Sequence, residues 1–339
     1  MPDRVSIRDL AKLAGVSIAT VSLALRDSHE VAPATREKIL SLAREYNYRS
    51  HPAVNTLMQQ VRSGRRIHDE EVVAFVRTGT DETETAPGPL ELLAGTREEA
   101  HRLGYRVEVF WGGPSGAKSE QLARVLYHRG IRGVIWAPMP YPHPPIVFPW
   151  EHFVPLACTS STDVRNLPIV CIHHAKGMAL MLEELTARGA KRIGVVVGYE
   201  EDLRQDYGWV TGIDLYRHRG GTTEVTPLIL KGLPVEKRIR SWLKKNRLDT
   251  LVLTEGLYDQ FHFLEGEVAR ASLDIPSPRL GKVGGLYQDM RRIGQQAVRS
   301  LSVRLSNSIL GLPEHSFSLV TQATFQDGES LRLLKKAGR

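Results

Sequence analysis

The chain has 339 residues, of which 42% are hydrophobic and 24% are charged, and its formal net charge is +7. This composition is that of a folded globular protein, and the length exceeds what one hydrophobic core usually serves, so we expect two or three domains. No apolar run approaches the roughly 18 residues that cross a bilayer, and the N-terminus lacks the apolar core of a signal peptide. We therefore exclude a membrane-spanning or fibrous protein and predict a cytoplasmic location.

The positive charge is concentrated near the N-terminus. Residues 1–50 contain eight lysines and arginines against six acidic residues, and the stretch to residue 66 adds Arg62, Arg65 and Arg66 without a further acid. A basic terminal segment on a longer body is typical of a protein that binds a polyanion. A solvated surface with a surplus of basic residues would give the same charge, so charge alone leaves both interpretations open.

Two short helices joined by a tight turn are predicted at the start of the chain. Ser6 is placed to cap the first helix, and Gly15 to end it. The apolar residues of this helix recur at the spacing of one buried face, namely Ile7, Leu10, Ala11 and Ala14. Ser17 is placed to cap the second helix, which runs through Leu25. Two short helices separated by a glycine that permits a sharp reversal form the helix-turn-helix pattern.

A third helix is predicted after Pro33, because proline suits a first helical turn, where its missing N–H costs nothing. Its expected inward face consists of Thr35, Ile39, Leu42, Ala43 and Tyr46. Three helices of this length form a core only just large enough to fold. We therefore expect an all-α helix-turn-helix DNA-binding head over residues 1–50.

Small residues around the second helix are the predicted DNA contacts. Hydroxyl groups there can hold phosphate oxygens, whereas apolar side chains can touch thymine methyl groups but cannot form bidentate pairs with guanine. The hydroxyl residues are Ser17, Thr20 and Ser22, and the apolar residues are Ile18, Ala19 and Leu23. The candidate set is completed by Ser6, Arg26, Thr35 and Tyr48. A position in the core or on a plain surface is the alternative for each of them.

Two runs of sequence resemble the lactose/galactose repressor (LacI/GalR) family of bacterial transcription regulators. They are SIRDLAKLAGVSIATVSLALRD at residues 6–27 and VAPATREKILSLAREYNYRSHPAV at residues 31–54, and the rest of the chain follows in outline. The resemblance implies a repressor, occasionally an activator, that binds a pseudo-palindromic operator on double-stranded DNA as a homodimer. It also implies a small-molecule effector, such as a sugar, that modulates this binding.

The resemblance implies a hinge helix over residues 51–67 that folds when two subunits meet on the operator. In the family a leucine of this helix wedges into the minor groove and kinks the DNA, and Leu57 occupies that position here. Asn55 stands where an arginine is usual, and residues 58–61 lengthen the segment by about one helical turn. Arg62 is the candidate contact that follows. A plain flexible linker is the alternative for this segment.

Residues 68–339 are predicted to form an α/β body in which short apolar runs alternate with helical patterns. The predicted strands are 72–76, 105–110, 133–136, 193–197 and 250–253, and the predicted helices include 90–103, 122–128 and 176–187. This alternation predicts doubly wound parallel sheets, and the length suffices for two of them. The family resemblance implies two lobes, like those of a periplasmic sugar-binding protein, with the ligand in the cleft between them and with the body providing the dimer face.

Two polar anchors that the resemblance implies for a cleft ligand are missing where we expect them. Trp209 replaces an arginine, and the segment 283–287 reads VGGLY without the aspartate that usually follows a late strand. Trp209 and Tyr287 could stack on a sugar or another planar ligand. The polar candidates for effector binding are Arg204, Asp206 and Asp259. The alternative is a filled cleft in a regulator that works without a ligand.

The remaining motifs favour structural interpretations. Residues 112–119 read GGPSGAKS, close to a phosphate-binding loop, but Ala117 replaces the second glycine, so we predict a surface loop. Cys158 and Cys171 are too few for a disulfide framework, and residues 171–174 lack a second Cys/His pair at ligand spacing, so no metal or cofactor is expected. We found no catalytic motif and do not expect an enzyme. A small-molecule-binding protein without a regulatory role is a further alternative.

Overall fold

The computed structural model describes residues 5–25, 31–46, 48, 71–78, 87–112, 116–138, 148–160 and 164–334. The chain divides into two compact units, Met1–Asp69 and Glu70–Arg339, which we call the head and the body. Within the described ranges, no helix is long and apolar enough to cross a bilayer. Arg26 and the predicted hinge at 51–67, with its candidate residues Asn55, Leu57 and Arg62, lie outside the described residues and stay predictions.

The described part of the head contains three helices, α1 (Ile7–Ala14), α2 (Ile18–Ala24) and α3 (Pro33–Glu45). Ser6 and Asp9 cap α1 reciprocally: the Asp9 N–H donates to Ser6 Oγ at 3.3 Å, and the Ser6 N–H donates to Asp9 Oδ2 at 2.9 Å. Gly15 ends α1 with a φ of 70°, a left-handed conformation that favours glycine. The predicted helix-turn-helix is therefore confirmed.

The core of the head is small and apolar. Its buried residues are Leu10, Ala11, Ala14, Val21, Ala24, Val31, Ile39 and Ala43. The predicted inward face of α3 is confirmed at Ile39 and Ala43, whereas Tyr46 is 41% exposed. Tyr46 caps the C-terminus of α3, so it no longer follows the helical periodicity, and Tyr48 packs against the head core instead.

The first lobe of the body, lobe 1, contains a six-stranded parallel sheet in the order β11-β5-β4-β3-β1-β2. The strands are β1 (Glu71–Thr78), β2 (Tyr105–Gly112), β3 (Gly133–Trp136), β4 (Val154–Ala157), β5 (Ile169–Ile172) and β11 (Ser318–Thr321). The helices of this lobe are α4 (Pro87–Arg102), α5 (Gly116–His128) and α11 (Met290–Ser306). Because α5 begins at Gly116, the loop predicted over 112–119 is wrong for its second half.

Lobe 2 contains a second six-stranded sheet in the order β12-β10-β9-β8-β6-β7, parallel except for the antiparallel pair β10 and β12. Its strands are β6 (Arg192–Gly198), β7 (Glu224–Leu230), β8 (Thr250–Leu253), β9 (Ala269–Ser272), β10 (Gly284–Tyr287) and β12 (Thr324–Gln326). Its helices are α6 (His174–Ala187), α7 (Tyr199–Arg204), α8 (Gly208–His218), α9 (Glu236–Asn246) and α10 (Glu255–Tyr258).

The chain crosses between the two lobes three times. The first crossing leads from β5 into α6, which packs on α8 of lobe 2. The second leads from β10 back into α11, which packs on β3, β4 and β5 of lobe 1, and the third joins β11 to β12. One continuous buried apolar cluster includes residues of both lobes, such as Phe75 and Val195. The predicted two-lobed α/β body with parallel sheets is therefore confirmed.

Candidate nucleic-acid interface and inter-lobe cleft

The start of α2 presents an exposed surface of hydroxyl and apolar side chains. Ser17 caps α2 by accepting a hydrogen bond from the Thr20 N–H at 3.1 Å, and the hydroxyl oxygens of Ser17 and Thr20 lie 2.9 Å apart. Ile18, which is 37% exposed, and Ala19 face solvent beside them. This arrangement combines groups that can hold phosphate oxygens with side chains that can touch thymine methyl groups.

The other predicted contacts of the head are less exposed. Ser22 is buried, and Leu23 is half-buried and packs against the head core, so the expected exposure of Leu23 is not observed. It shares α2 with Val21 and Ala24, whose burial draws this side of the short helix inward. Thr35 and Tyr48 are also half-buried, whereas the exposed Ser6 is engaged in the cap of α1.

Lys38 has a structural role that sequence analysis missed. Its Nζ donates a hydrogen bond to the backbone carbonyl of Ala14 at 3.0 Å. A cation at the C-terminus of a helix satisfies a free carbonyl and interacts favourably with the helix dipole. Lys38 therefore ties α3 to the turn between α1 and α2, and it helps to hold α2 in place. Only the packing of three helices brings these two groups together, 24 positions apart in the chain.

The carboxyl ends of the lobe 2 strands carry several acidic side chains. Glu201, which follows β6, accepts a hydrogen bond from the Thr254 hydroxyl, which follows β8. Glu255 begins α10, and Asp274 follows β9. Burial, with Glu255 and Glu91 close by, raises the pKa of Asp274 from 3.8 to about 8. Ligands of parallel α/β sheets bind outside the carboxyl ends of the strands, so this edge is one wall of the candidate cleft.

One hydrogen bond connects the lobes near these acids. Glu91 lies on α4 of lobe 1, and it accepts a hydrogen bond from the hydroxyl of Ser277, which lies between β9 and β10 of lobe 2. Because Glu91 also contributes to the raised pKa of Asp274, the carboxylates of both lobes interact electrostatically. A movement of one lobe against the other would change this interaction.

A serine of lobe 1 contacts a histidine at the first crossing between the lobes. The Oγ of Ser160, which follows β4, lies 3.2 Å from Nδ1 of His174 at the start of α6. His174 is buried, and this burial lowers its pKa from 6.5 to about 3, so the imidazole is neutral. A neutral imidazole can either donate to or accept from the serine hydroxyl, which makes this pair polar but uncharged.

Trp209, in the first turn of α8, is only 3% exposed and packs against His174 of α6. Its backbone N–H and that of Val210 donate to Oδ1 of Asp202, at 3.1 and 3.3 Å. Asp202 therefore caps α8 from a buried position, and burial raises the pKa of this carboxyl group. The sequence offered no signal for this role, because Asp202 lies six positions ahead of the helix that it caps.

The predicted effector residues occupy different surroundings. Within the described residues, no hydrogen bond or ring contact joins any two of them. Arg204 and Tyr287 are half-buried, Asp206 is exposed, and Trp209 is enclosed. Asp259 accepts two hydrogen bonds of 2.7 Å from the guanidinium of Arg279.

The segment 283–287, which lacks the expected aspartate, contains strand β10, and the neighbouring strand β9 brings a carboxyl group to this sheet edge instead. Asp274 lies two residues beyond the end of β9. The four residues of β9 read ARAS and include a buried arginine, Arg270, so they lack the apolar signal of a strand. Pairing with β8 and β10 makes this segment a central strand and places a carboxylate at the cleft edge.

Comparison with known proteins supports the same picture. Residues 6–51 match the family described as bacterial regulatory proteins, lacI family. The maltose regulon regulatory protein MalI of Vibrio furnissii is 26% identical over 132 residues, which cover 39% of this chain and 88% of that protein. For several other curated repressors, the chain spans only 39% to 54% of the relative's length.

Two solved structures share the fold over nearly the whole chain. The transcriptional regulator CelR in complex with cellobiose has a TM-score of 0.56 at 17% identity, and the match covers 96% of this chain and 100% of that one. The Lac repressor dimer bound to operator and the anti-inducer ONPF has a TM-score of 0.53 at 17% identity, with coverage of 96% and 98%.

The fold and the head together define a class of protein in which a helix-turn-helix DNA-binding head is joined to a two-lobed α/β body. The matched head and the shared architecture confirm the resemblance drawn from the sequence. The head matches the lacI family of bacterial regulatory proteins, and the whole chain shares the fold of the two solved structures.

Proposed function

We propose that this protein is a sequence-specific transcriptional repressor that acts in the cytoplasm and binds a pseudo-palindromic operator as a homodimer. The observation that carries the proposal is the exposed start of α2, where Ile18 and Ala19 stand beside the paired hydroxyls of Ser17 and Thr20. A dimer presents two such heads to two half-sites, which makes the operator an inverted repeat. A Lac repressor dimer bound to operator is among the proteins of similar fold.

We further propose that a small molecule bound between the lobes modulates operator binding. The carboxyl edges of the two sheets provide Glu201, Glu255 and Asp274 from lobe 2, and Ser160 from lobe 1. Carboxyl and hydroxyl groups bind the hydroxyls of a sugar, and CelR, which shares the fold, binds cellobiose. The ligand would change operator affinity by as much as its own affinities for the two lobe arrangements differ.

A regulator with a filled cleft is the second candidate, and the enclosed Trp209 favours it. The indole is enclosed in the buried apolar cluster, so it has no free face on which a ligand could stack. Neither candidate includes a catalytic role. In the described part of the cleft, neither Ser160 nor His174 forms a hydrogen bond with a carboxylate, which a nucleophilic serine would require to orient its base.

The test is selection of bound fragments from random and genomic DNA by the full-length protein, with affinity measured against salt concentration. We expect one shared inverted repeat and a steep loss of affinity with salt, because counterions are released from the phosphates. Ala19→Glu places a negative charge on the exposed start of α2, and Ser41→Glu places the same charge on the exposed side of α3. Ala19→Glu should weaken operator binding by about ten- to a hundredfold, the scale of ~1–3 kcal/mol per base contact.

Equal operator binding by the wild-type protein and Ala19→Glu would contradict the proposed reading surface. The predicted wedge is tested in the same assay by Leu57→Ala, which should weaken specific binding while the body stays folded. The two cleft candidates are separated by calorimetry with cellobiose, maltose and sucrose on wild-type protein and Asp274→Asn. If a sugar binds the wild-type protein and Asp274→Asn abolishes that binding, the liganded cleft is favoured. If none of the tested sugars alters operator binding, the filled cleft is favoured.

A further inference from the structure

A separate cavity of about 480 Å³ lies in lobe 2, toward the amino ends of β9 and β10. The residues that line it include Arg270 at the start of β9, Lys282 just before β10, and Arg332 near the end of the described chain. The cleft edge lies at the carboxyl ends of the same strands. The cavity lining includes Asp259, one of the sequence-predicted effector residues, but none of Glu201, Glu255 and Asp274, so the cavity is distinct from the cleft surface to which we assign the effector.

Arg270 is a buried cation whose ion pair in the described residues is long and reaches an exposed side chain, and whose guanidinium lies 5.0 Å from the centre of the Tyr258 ring. It is 7% exposed, and among the described residues its guanidinium donates one hydrogen bond, from Nη1 to the carbonyl of Phe261 at 3.1 Å. Its nearest carboxylate, that of Glu265, is 3.7 Å from Nη2 and belongs to a side chain that is 73% exposed. A guanidinium has five N–H donors, and a buried charge is costly unless it is paired. The remaining donors of Arg270 are available to an occupant of the cavity.

Further charges in the cavity favour an anion. Lys282 and Arg332 line it, and no ion pair involving either is found in the described part of the chain. Arg279 is neutralised by its two hydrogen bonds to Asp259. Apart from this pair, the lining contains three cations and only two carboxylates. The cations are Arg270, Lys282 and Arg332, and the carboxylates are Glu265 and Glu329.

The wall that carries Arg332 is fastened to the sheet. The hydroxyl of Ser330 donates to the carbonyl of Arg270 at 2.6 Å, and it accepts a hydrogen bond from the Gly284 N–H at 3.0 Å. Backbone hydrogen bonds from Glu329 to Gly281 and from Ser330 to Lys282 add to this connection. The cations therefore stand on an ordered frame, and a ligand would bind at little cost in ordering the protein.

We propose that this cavity binds a small organic phosphate, whose phosphate group is held by Arg270, Lys282 and Arg332. The planar guanidinium of arginine matches the geometry of phosphate oxygens, and lysine adds a point charge. Val268, Val283 and Leu333 provide apolar surface for the organic part of the ligand. The site is independent of the head and of the cleft, so it would add a second input to the proposed regulator.

The experiment is calorimetric titration of the full chain with phenyl phosphate and, in parallel, with inorganic phosphate. We expect saturable binding of both, tighter for phenyl phosphate because its ring packs on the apolar wall. Lys282→Gln and Arg332→Gln each remove one exposed charge at the cavity, and Arg238→Gln removes one from an exposed position on α9. The two cavity variants should weaken phenyl phosphate binding by about tenfold, the scale of one charge-assisted hydrogen bond, while Arg238→Gln leaves it unchanged.

Absence of saturable phenyl phosphate binding would overturn the proposal. Equal weakening by all three variants would also overturn it, because binding would then follow the overall charge and not the cavity. Equal affinity for phenyl phosphate and inorganic phosphate would mean that the phenyl ring adds nothing to binding. The cavity would then be a site for an inorganic anion, which contradicts the proposal of an organic phosphate. These results are independent of operator binding, which the DNA selection measures separately.

Discussion

Trp209 lies edge-on to His174, with their ring centroids 4.5 Å apart and their planes at 84°. His174 begins α6 directly after the first crossing between the lobes, and Trp209 belongs to the first turn of α8. The contact therefore fixes the position of α8 relative to the crossing. An indole in this enclosed position supports the packing of lobe 2 and presents no free face to a ligand.

Trp209→Ala should lower the free energy of unfolding of the body by about 3–5 kcal/mol, because it removes a large buried side chain and leaves a cavity. Trp209→Phe retains an aromatic ring against His174 and should cost less. The measurement is urea unfolding of the full chain followed by circular dichroism. A Trp209→Ala protein as stable as the wild type would show that the indole is not a packing element.

The buried His174 should make the body less stable in acid. Its pKa is lowered by burial from 6.5 to about 3, so the folded state resists protonation that the unfolded chain accepts. The stability contributed by the neutral imidazole is complete above pH 6.5 and is lost as the pH falls toward 3. His174→Gln should remove a slope of up to about 1.4 kcal/mol per pH unit in this range. The readout is the difference between the two unfolding profiles, and parallel profiles would refute the assignment.

Asp274 should have the opposite effect at higher pH. Burial raises its pKa from 3.8 to about 8, so the folded protein holds a proton that the unfolded chain has released. The stability that the protonated carboxyl group contributes is complete below pH 3.8 and is lost as the pH rises through 8. Urea unfolding of wild-type protein and Asp274→Asn between pH 4 and pH 8 should give a flatter profile for the variant. If both proteins lose stability equally across this range, another group titrates.

Gly95→Ala should disrupt the contact between α4 and α11. A Cβ at Gly95 would lie 1.9 Å from the backbone carbonyl oxygen of Arg291, so one of the two helices would have to move. We expect a loss of about 1–3 kcal/mol in the free energy of unfolding, the usual cost of overpacking.

Gly88→Ala is the matched control for Gly95→Ala, because it lies on the same helix and its Cβ would meet only Met290 Cγ at 3.9 Å. Alanine favours a helix over glycine, so this control should leave the melting temperature unchanged or raise it. Equal destabilisation by both substitutions would contradict the assignment, because the close approach to α11 exists only at Gly95.

The residues of the head could be interpreted from sequence because their signals are local. Ser6, Gly15 and Ser17 act within three or four positions of where they stand, as caps and as a turn. The apolar spacing of α1 likewise depends on one helix only. The prediction was wrong at Tyr46, where the helix ends, because a side chain beyond the last turn no longer follows the helical period.

The sequence by itself determined the class of this protein: a helix-turn-helix head, a body of alternating strands and helices, and a resemblance to one family of regulators. The tertiary structure alone decided which groups meet. It enclosed Trp209, placed Asp274 at the cleft edge after a strand that lacks the apolar pattern of one, and lined one cavity with Arg270, Lys282 and Arg332. The physical reason is that helix and strand periods are encoded within a few residues, whereas burial and electrostatic neighbours depend on segments far apart in the chain.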